Sequence, residues 1–200
     1  MTAALHDLTL GEMADGLRAR QFTARDIADA FIARIRKADG KLHSYVEIYA
    51  EEAQALAEAA DRARAAGLPA SPLHGLPIAI KDLCEIEGRI TTCGSKMWEK
   101  RVSAVTSATV ERLLGAGMVP LGKTHMVEFA YGTWGTNPLM GTPWNPWDAK
   151  THRVPGGSSS GSGVAVAAGL APAAARPGPR GRGARSPGFY PAGRRPVAGG

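Results

Sequence analysis

Along the first third of the chain, Ile27, Phe31 and Ile35 recur every fourth residue while Arg25, Asp29, Arg34 and Arg36 lie mostly off that stripe. The spacing predicts an amphipathic helix with one buried face. Its start is marked by Thr23 with Asp26 three residues on, a pattern that gives orphan N–H groups side-chain acceptors. Thr9 with Glu12 repeats the signal for an earlier helix. Tyr49 to Ala66 is rich in Ala and Glu and predicts a third helix, ended by Gly67 and Pro69.

The texture then changes. Pro77-Ile78-Ala79-Ile80 is a short apolar run behind Gly75, as expected of a buried strand that delivers Lys81 at its end. Thr109 to Gly117 reads as helix and Met118 to Leu121 as a second buried strand, followed through Gly122-Lys123 by a short helix around Met126 to Ala130. Strand, helix, strand is the alternation of an α/β fold. Residues 131–157, rich in Trp, Pro and Gly, form a loop of a length usually reserved for a functional site.

That loop leads into VPGGSSSGSGVAVAAG, Val154 to Gly169. Composition alone allows a flexible linker. Ser162 to Leu170, however, continues in small apolar residues suited to a packed helix, which would make the Gly-Ser run a loop at a helix N-terminus, able to hold an anion or an oxyanion. A phosphate loop would need a Lys beside its last Gly, and Gly156 to Gly163 has none. No G-x-S-x-G elbow is present either, because Gly157 to Gly161 holds one serine too many.

Charge redraws the boundaries. Acidic and basic residues balance over residues 1–174, so the whole formal charge of +6 comes from residues 175–200. That segment, made mainly of Arg, Pro, Gly and Ala without Lys, Asp or Glu, has little to bury and is expected to be disordered. Met1 to Gly16 carries charges and no apolar run, and Cys84 and Cys93 show neither a C-x-x-C spacing nor a disulfide framework, so a reducing cytoplasm is the expected setting. No uncharged stretch is continuous enough to cross a membrane. His6, His43, His74, His125 and His152 lack metal-ligand spacing, so no metal is expected.

Taken together, Gly75-Leu76-Pro77-Ile78-Ala79-Ile80-Lys81-Asp82 and Gly156-Gly157-Ser158-Ser159-Ser160-Gly161 resemble the two leading motifs of the amidase signature enzymes. Gly122-Lys123-Thr124 to Glu128-Phe129-Ala130, and Asn145-Pro146-Trp147-Asp148, are similar as well, so the resemblance runs over about residues 5–174. It implies the N-terminal part of a mixed sheet flanked by helices, acting on a small-molecule amide without a cofactor. It also implies a Ser, cis-Ser, Lys triad in which Lys81 is the base and Ser158, behind a cis Gly157–Ser158 peptide, relays a proton. Gly156, Gly157, Ser159, Ser160 and Gly161 would support the loop. A lysine can serve as a base near neutrality only if its pKa of about 10.4 is depressed. Read without the resemblance, Lys81 is a strand-end lysine reaching solvent, paired with Asp82.

The resemblance then stops. The family's nucleophilic serine follows about two dozen residues after the middle one, where this chain has Arg182 in Pro179-Arg180-Gly181-Arg182-Gly183. The abrupt change of composition near Ala174 suggests a shifted reading frame, and hence an inactive chain with residues 1–174 as the family portion. Ser160, where the family more usually has Gly, favours a stand-alone amidase over the glutamyl-tRNA amidotransferase branch of the family, whose partners would include other subunits and tRNA. A separate expectation, RNA binding, comes from the arginines of the tail with Phe189 and Tyr190 among them. Trp134, Trp144 and Trp147 are candidates to border an apolar pocket.

Overall fold

The computed structural model describes residues 4–68, 70–176 and 188–191. Helices α1 (Leu10–Arg18) and α2 (Ala24–Leu42) both begin in complete capping boxes, with Thr9 and Glu12 or Thr23 and Asp26 each satisfying the other's backbone N–H. The stripe of α2 is buried as its spacing requires: Ile27, Phe31 and Ile35 are out of solvent. Each such side chain contributes roughly 1.5–3 kcal/mol of burial. A four-residue strand, β1 (Tyr45–Ile48), intervenes before α3 (Ala50–Ala65). No pattern in the sequence predicts β1.

Strand β2 (Pro77–Lys81) is wholly buried, α4 (Ala108–Gly115) crosses over, and β3 (Val119–Thr124) runs three residues past the predicted strand end. The predicted helix after it shrinks to a single 3-10 turn, Glu128–Ala130. Helix α5 (Ser160–Ala167) starts two residues earlier than its apolar content suggests and leads to β4 (Ala173–Arg176).

The sheet has the order β1-β3-β2-β4-β5, parallel at β3-β2-β4 and antiparallel at both edges. A mixed sheet with helices against it is the fold class the sequence implied. Most of residues 175–200, the segment expected to be disordered and out of frame, lie outside the described residues, Arg182 among them. Inside that range the finding departs from the compositional expectation at two points. Strand β4 runs through Ala175 to Arg176, and β5 (Gly188–Pro191) pairs with it antiparallel. Backbone pairing uses N–H and C=O groups that no composition removes, so an open sheet edge can take up even an apolar-poor segment. Among the described residues, no helix is long and apolar enough to cross a membrane.

Candidate active site

In open parallel sheets, ligands meet the carboxyl ends of the strands. Here β2 ends at Lys81 and β3 at Thr124, which are register partners, as are Ile80 and Lys123. Register partners share a face and successive residues alternate, so Lys81 and Thr124 face one side while Lys123 faces the other. Helix α5 lies on the Lys81 side, fixed by a 2.7 Å hydrogen bond between the Thr124 and Ser162 hydroxyls.

Gly161 lets the start of α5 approach this closely. A Cβ there would stand 2.2 Å from the Ser44 carbonyl oxygen and 2.4 Å from the His125 nitrogen. The Gly161 N–H donates to the His125 carbonyl at 2.9 Å. Upstream, the Gly157 N–H donates to the Thr133 carbonyl (2.8 Å) and the Gly156 N–H to the Trp134 carbonyl (3.1 Å), while the Val127 N–H donates to the Ser158 carbonyl (3.0 Å). The Gly-Ser segment is therefore a clamped loop, and the linker alternative fails. The Gly157–Ser158 peptide is cis.

These constraints bring Lys81 and Ser158 together across 77 residues: the Lys81 Nζ donates to the Ser158 Oγ at 2.9 Å. Lys81 is 3% exposed. Burial lowers its pKa to about 8; Cys84 and Cys93 push weakly upward and Arg176 downward. The alternative of a solvent-reaching lysine paired with Asp82 fails, because Lys81 is buried and Asp82, just past the end of β2, turns to the other face of the sheet. Asp82 instead meets Lys123 at 2.9 Å, with both side chains about 1% exposed. Ser159 and Ser160 are buried, but the Ser160 Oγ has no hydrogen-bond partner among the described residues. The hydroxyl that ties α5 to the sheet belongs to Ser162, a residue the sequence reading did not select.

A cavity of about 810 Å³ opens over this pair. Its walls include Cys84 and Cys93, both free thiols, and a polar and aromatic side made by Glu85, Arg101, Trp98 and Phe129. The Arg101 guanidinium donates to Glu85 at 2.7 Å and lies 4.4 Å from the centre of the Trp98 ring, which meets Phe129 edge-on at 5.0 Å. Trp98 takes the place proposed for Trp134, Trp144 and Trp147. Of those, Trp134 and Trp147 are exposed, and Trp144 stacks on His152 and donates its indole N–H to the Asp148 carbonyl. Among the described residues, no group of His, Cys, Asp and Glu is arranged to hold a metal ion.

Comparison with known proteins places this arrangement in context. Residues 26–175 match the family described as Amidase. The A-type subunit of the glutamyl-tRNA(Gln) amidotransferase from Chromohalobacter salexigens is 49% identical over 170 residues, covering 85% of this chain and 34% of that protein. Its counterpart from Cupriavidus necator is 49% identical over 166 residues, covering 83% and 32%. The chain thus spans about a third of the length of the curated relatives it matches. A chain from a vestigial protein complex bearing on the origins of an s-triazine catabolic enzyme superposes with a TM-score of 0.80 at 39% identity, covering 84% of this chain and 37% of that one. The peptide amidase of Stenotrophomonas maltophilia gives 0.77 at 30%, covering 84% and 36%.

Proposed function

Because the chain belongs to the amidase family, we propose that its cavity is built to break a carboxamide C–N bond, with Lys81 as base and Ser158 as relay to a nucleophilic serine. The observation that carries this reading is the 2.9 Å contact between the buried Lys81 amine and the Ser158 hydroxyl, both of which line the cavity. With a pKa of about 8, roughly one lysine in ten is neutral at pH 7, against fewer than about one in a thousand at the ordinary value. A neutral amine can take the Ser158 proton as Ser158 takes the proton of the attacking serine. Attack then gives a tetrahedral oxyanion, the proton held by Lys81 passes back through Ser158 to the leaving nitrogen, loss of the amine leaves an ester on the serine, and water releases the acid.

The nucleophile itself is the missing part. The position where the family resemblance puts it holds Arg182, so the 200-residue chain is expected to release no ammonia from simple aliphatic or aromatic carboxamides above background. Turnover abolished by Lys81→Ala would overturn this. Resequencing codons 170–200 tests the frame: Gly-Gly-Ser near position 182 in another frame would complete the triad with Lys81 and Ser158. If the recorded frame stands, the chain has a base and a relay with no nucleophile.

A second reading is the amidase-like subunit of a tRNA-dependent amidotransferase, favoured by the high identity to such subunits. It would bring glutamine as ammonia donor and partner subunits with tRNA nearby. For a frame-restored protein, ammonia release from glutamine with none from simple amides would favour this reading, and the reverse a stand-alone amidase.

A further inference from the structure

Behind Lys81, on the opposite face of the sheet, lies a charge pair that the proposed chemistry does not use. Asp82 and Lys123 are fully buried. A buried ion pair stabilises a fold no better than apolar residues of equal volume, so its place one residue from Lys81 calls for a role beyond stability. Its hydrogen bonds point to one. The Lys123 Nζ, besides lying 2.9 Å from Asp82 Oδ1, donates to the Thr91 hydroxyl at 2.9 Å. Asp82 Oδ2 accepts from the Thr92 N–H at 3.1 Å and from the Thr92 hydroxyl, and the Asp82 carbonyl accepts from the Cys93 N–H at 3.2 Å. The Thr92 hydroxyl in turn accepts from the Gly94 N–H at 3.0 Å.

We propose that the Asp82–Lys123 pair is a positioning device for Lys81: it clamps the Thr91–Gly94 turn to the end of β2, so that Cys93 walls the cavity beside the lysine amine. The clamp continues to the other half of the site. Asn137, 2% exposed, donates from one amide nitrogen to the Gly94 carbonyl (2.7 Å) and the Met126 carbonyl (3.0 Å). The next N–H, that of Val127, holds the Ser158 carbonyl. One polar chain therefore sets the turn beside the lysine and the loop that carries its serine partner.

The inference rests on the reading of Lys81 as a base whose pKa is held down by exclusion of water. The charged and titratable groups around that amine are Cys84, Cys93 and Arg176, with Glu85 and Arg101 bound to each other in the same cavity and Asp82 and Lys123 across the strand. Loosening the turn admits water and removes the main cause of the lowered pKa.

The test is an NMR titration of the full 200-residue chain labelled at lysine Cε and Nζ, with the Lys81 signal assigned by Lys81→Arg. Lys123→Met is the direct variant. Thr92→Val, which deletes one hydroxyl, is the milder one should the first fail to fold. The expected result is a midpoint near 8 in the parent, raised by about one unit or more in either variant. Ile35→Val, a remote core change that lowers stability alone, is expected to leave the midpoint in place. Unchanged midpoints in both variants, or an equal shift in Ile35→Val, would overturn the positioning role while leaving Lys81 as the base. A parent midpoint near 10.5 would sink the base reading, and the positioning role with it.

Discussion

Lys81 and Lys123 stand at the carboxyl ends of adjacent parallel strands, both out of solvent, but they face opposite sides of the sheet and meet different company. Lys123 has a carboxylate at 2.9 Å and a hydroxyl at 2.9 Å. Lys81 has one serine hydroxyl and two thiols, and no carboxylate among the causes that act on it. Burial with no carboxylate beside it is what lowers the Lys81 pKa. Lys123, equally buried, lies against a carboxylate and a hydroxyl that tie it to the neighbouring turn.

Breaking the paired side should have the largest effect. Lys123→Met strands a buried carboxylate and is expected to cost about 3–5 kcal/mol in urea unfolding at pH 7. A loss under about 1 kcal/mol would mean that the two faces are equivalent.

A buried imidazole sharpens the contrast. His125 is 3% exposed, with no partner on its Nδ1 among the described residues, and burial, helped by His43 whose ring centre is 4.3 Å away, lowers its pKa to about 4. Between pH 6.5 and 4 the unfolded chain binds the proton that the folded chain refuses, so stability falls as the pH falls through that window. A loss on the order of 2 kcal/mol is expected, and His125→Asn should flatten it; an unchanged slope in thermal melts would contradict the assignment.

At pH 7 the smallest effect is expected from Lys81→Met. The folded pKa of about 8 lies below the unfolded value, so the parent gains stability as the pH rises from about 8 to 10.5. Removing the amine should abolish that gain. At pH 7 it should change stability by no more than about 1 kcal/mol, since the lost hydrogen bond offsets the relieved desolvation.

How much of this was legible in the sequence follows from what kind of information each feature needs. The stripe of α2 and its capping box are local patterns and were readable. So were the apolar run that ends in Lys81 and the small-residue helix after the Gly-Ser loop. The strand β1 was not, because four residues between two helices offer too short an alternation to register. The Asp82–Lys123 pair joins residues whose meeting depends on strand register. Only the rule that adjacent strand residues face apart could have warned that Asp82 does not serve Lys81. The aromatic wall escaped for a similar reason: Trp98 lies in an unremarkable segment, far in sequence from the loop whose tryptophans drew attention.

The placing of those aromatics also decides what an optical experiment would see. None of the four tryptophans belongs to the apolar core: Trp134 and Trp147 are largely in water, and Trp98 and Trp144 are only partly covered. The core packs around Phe31, Tyr45 and aliphatic side chains, which are silent under excitation selective for tryptophan. Indole emission will thus report on the cavity rim and the 131–157 loop, and far-ultraviolet circular dichroism on the helices beneath. If the rim loosens before the core melts, the two signals will part company, and their separation would time that opening without any added label.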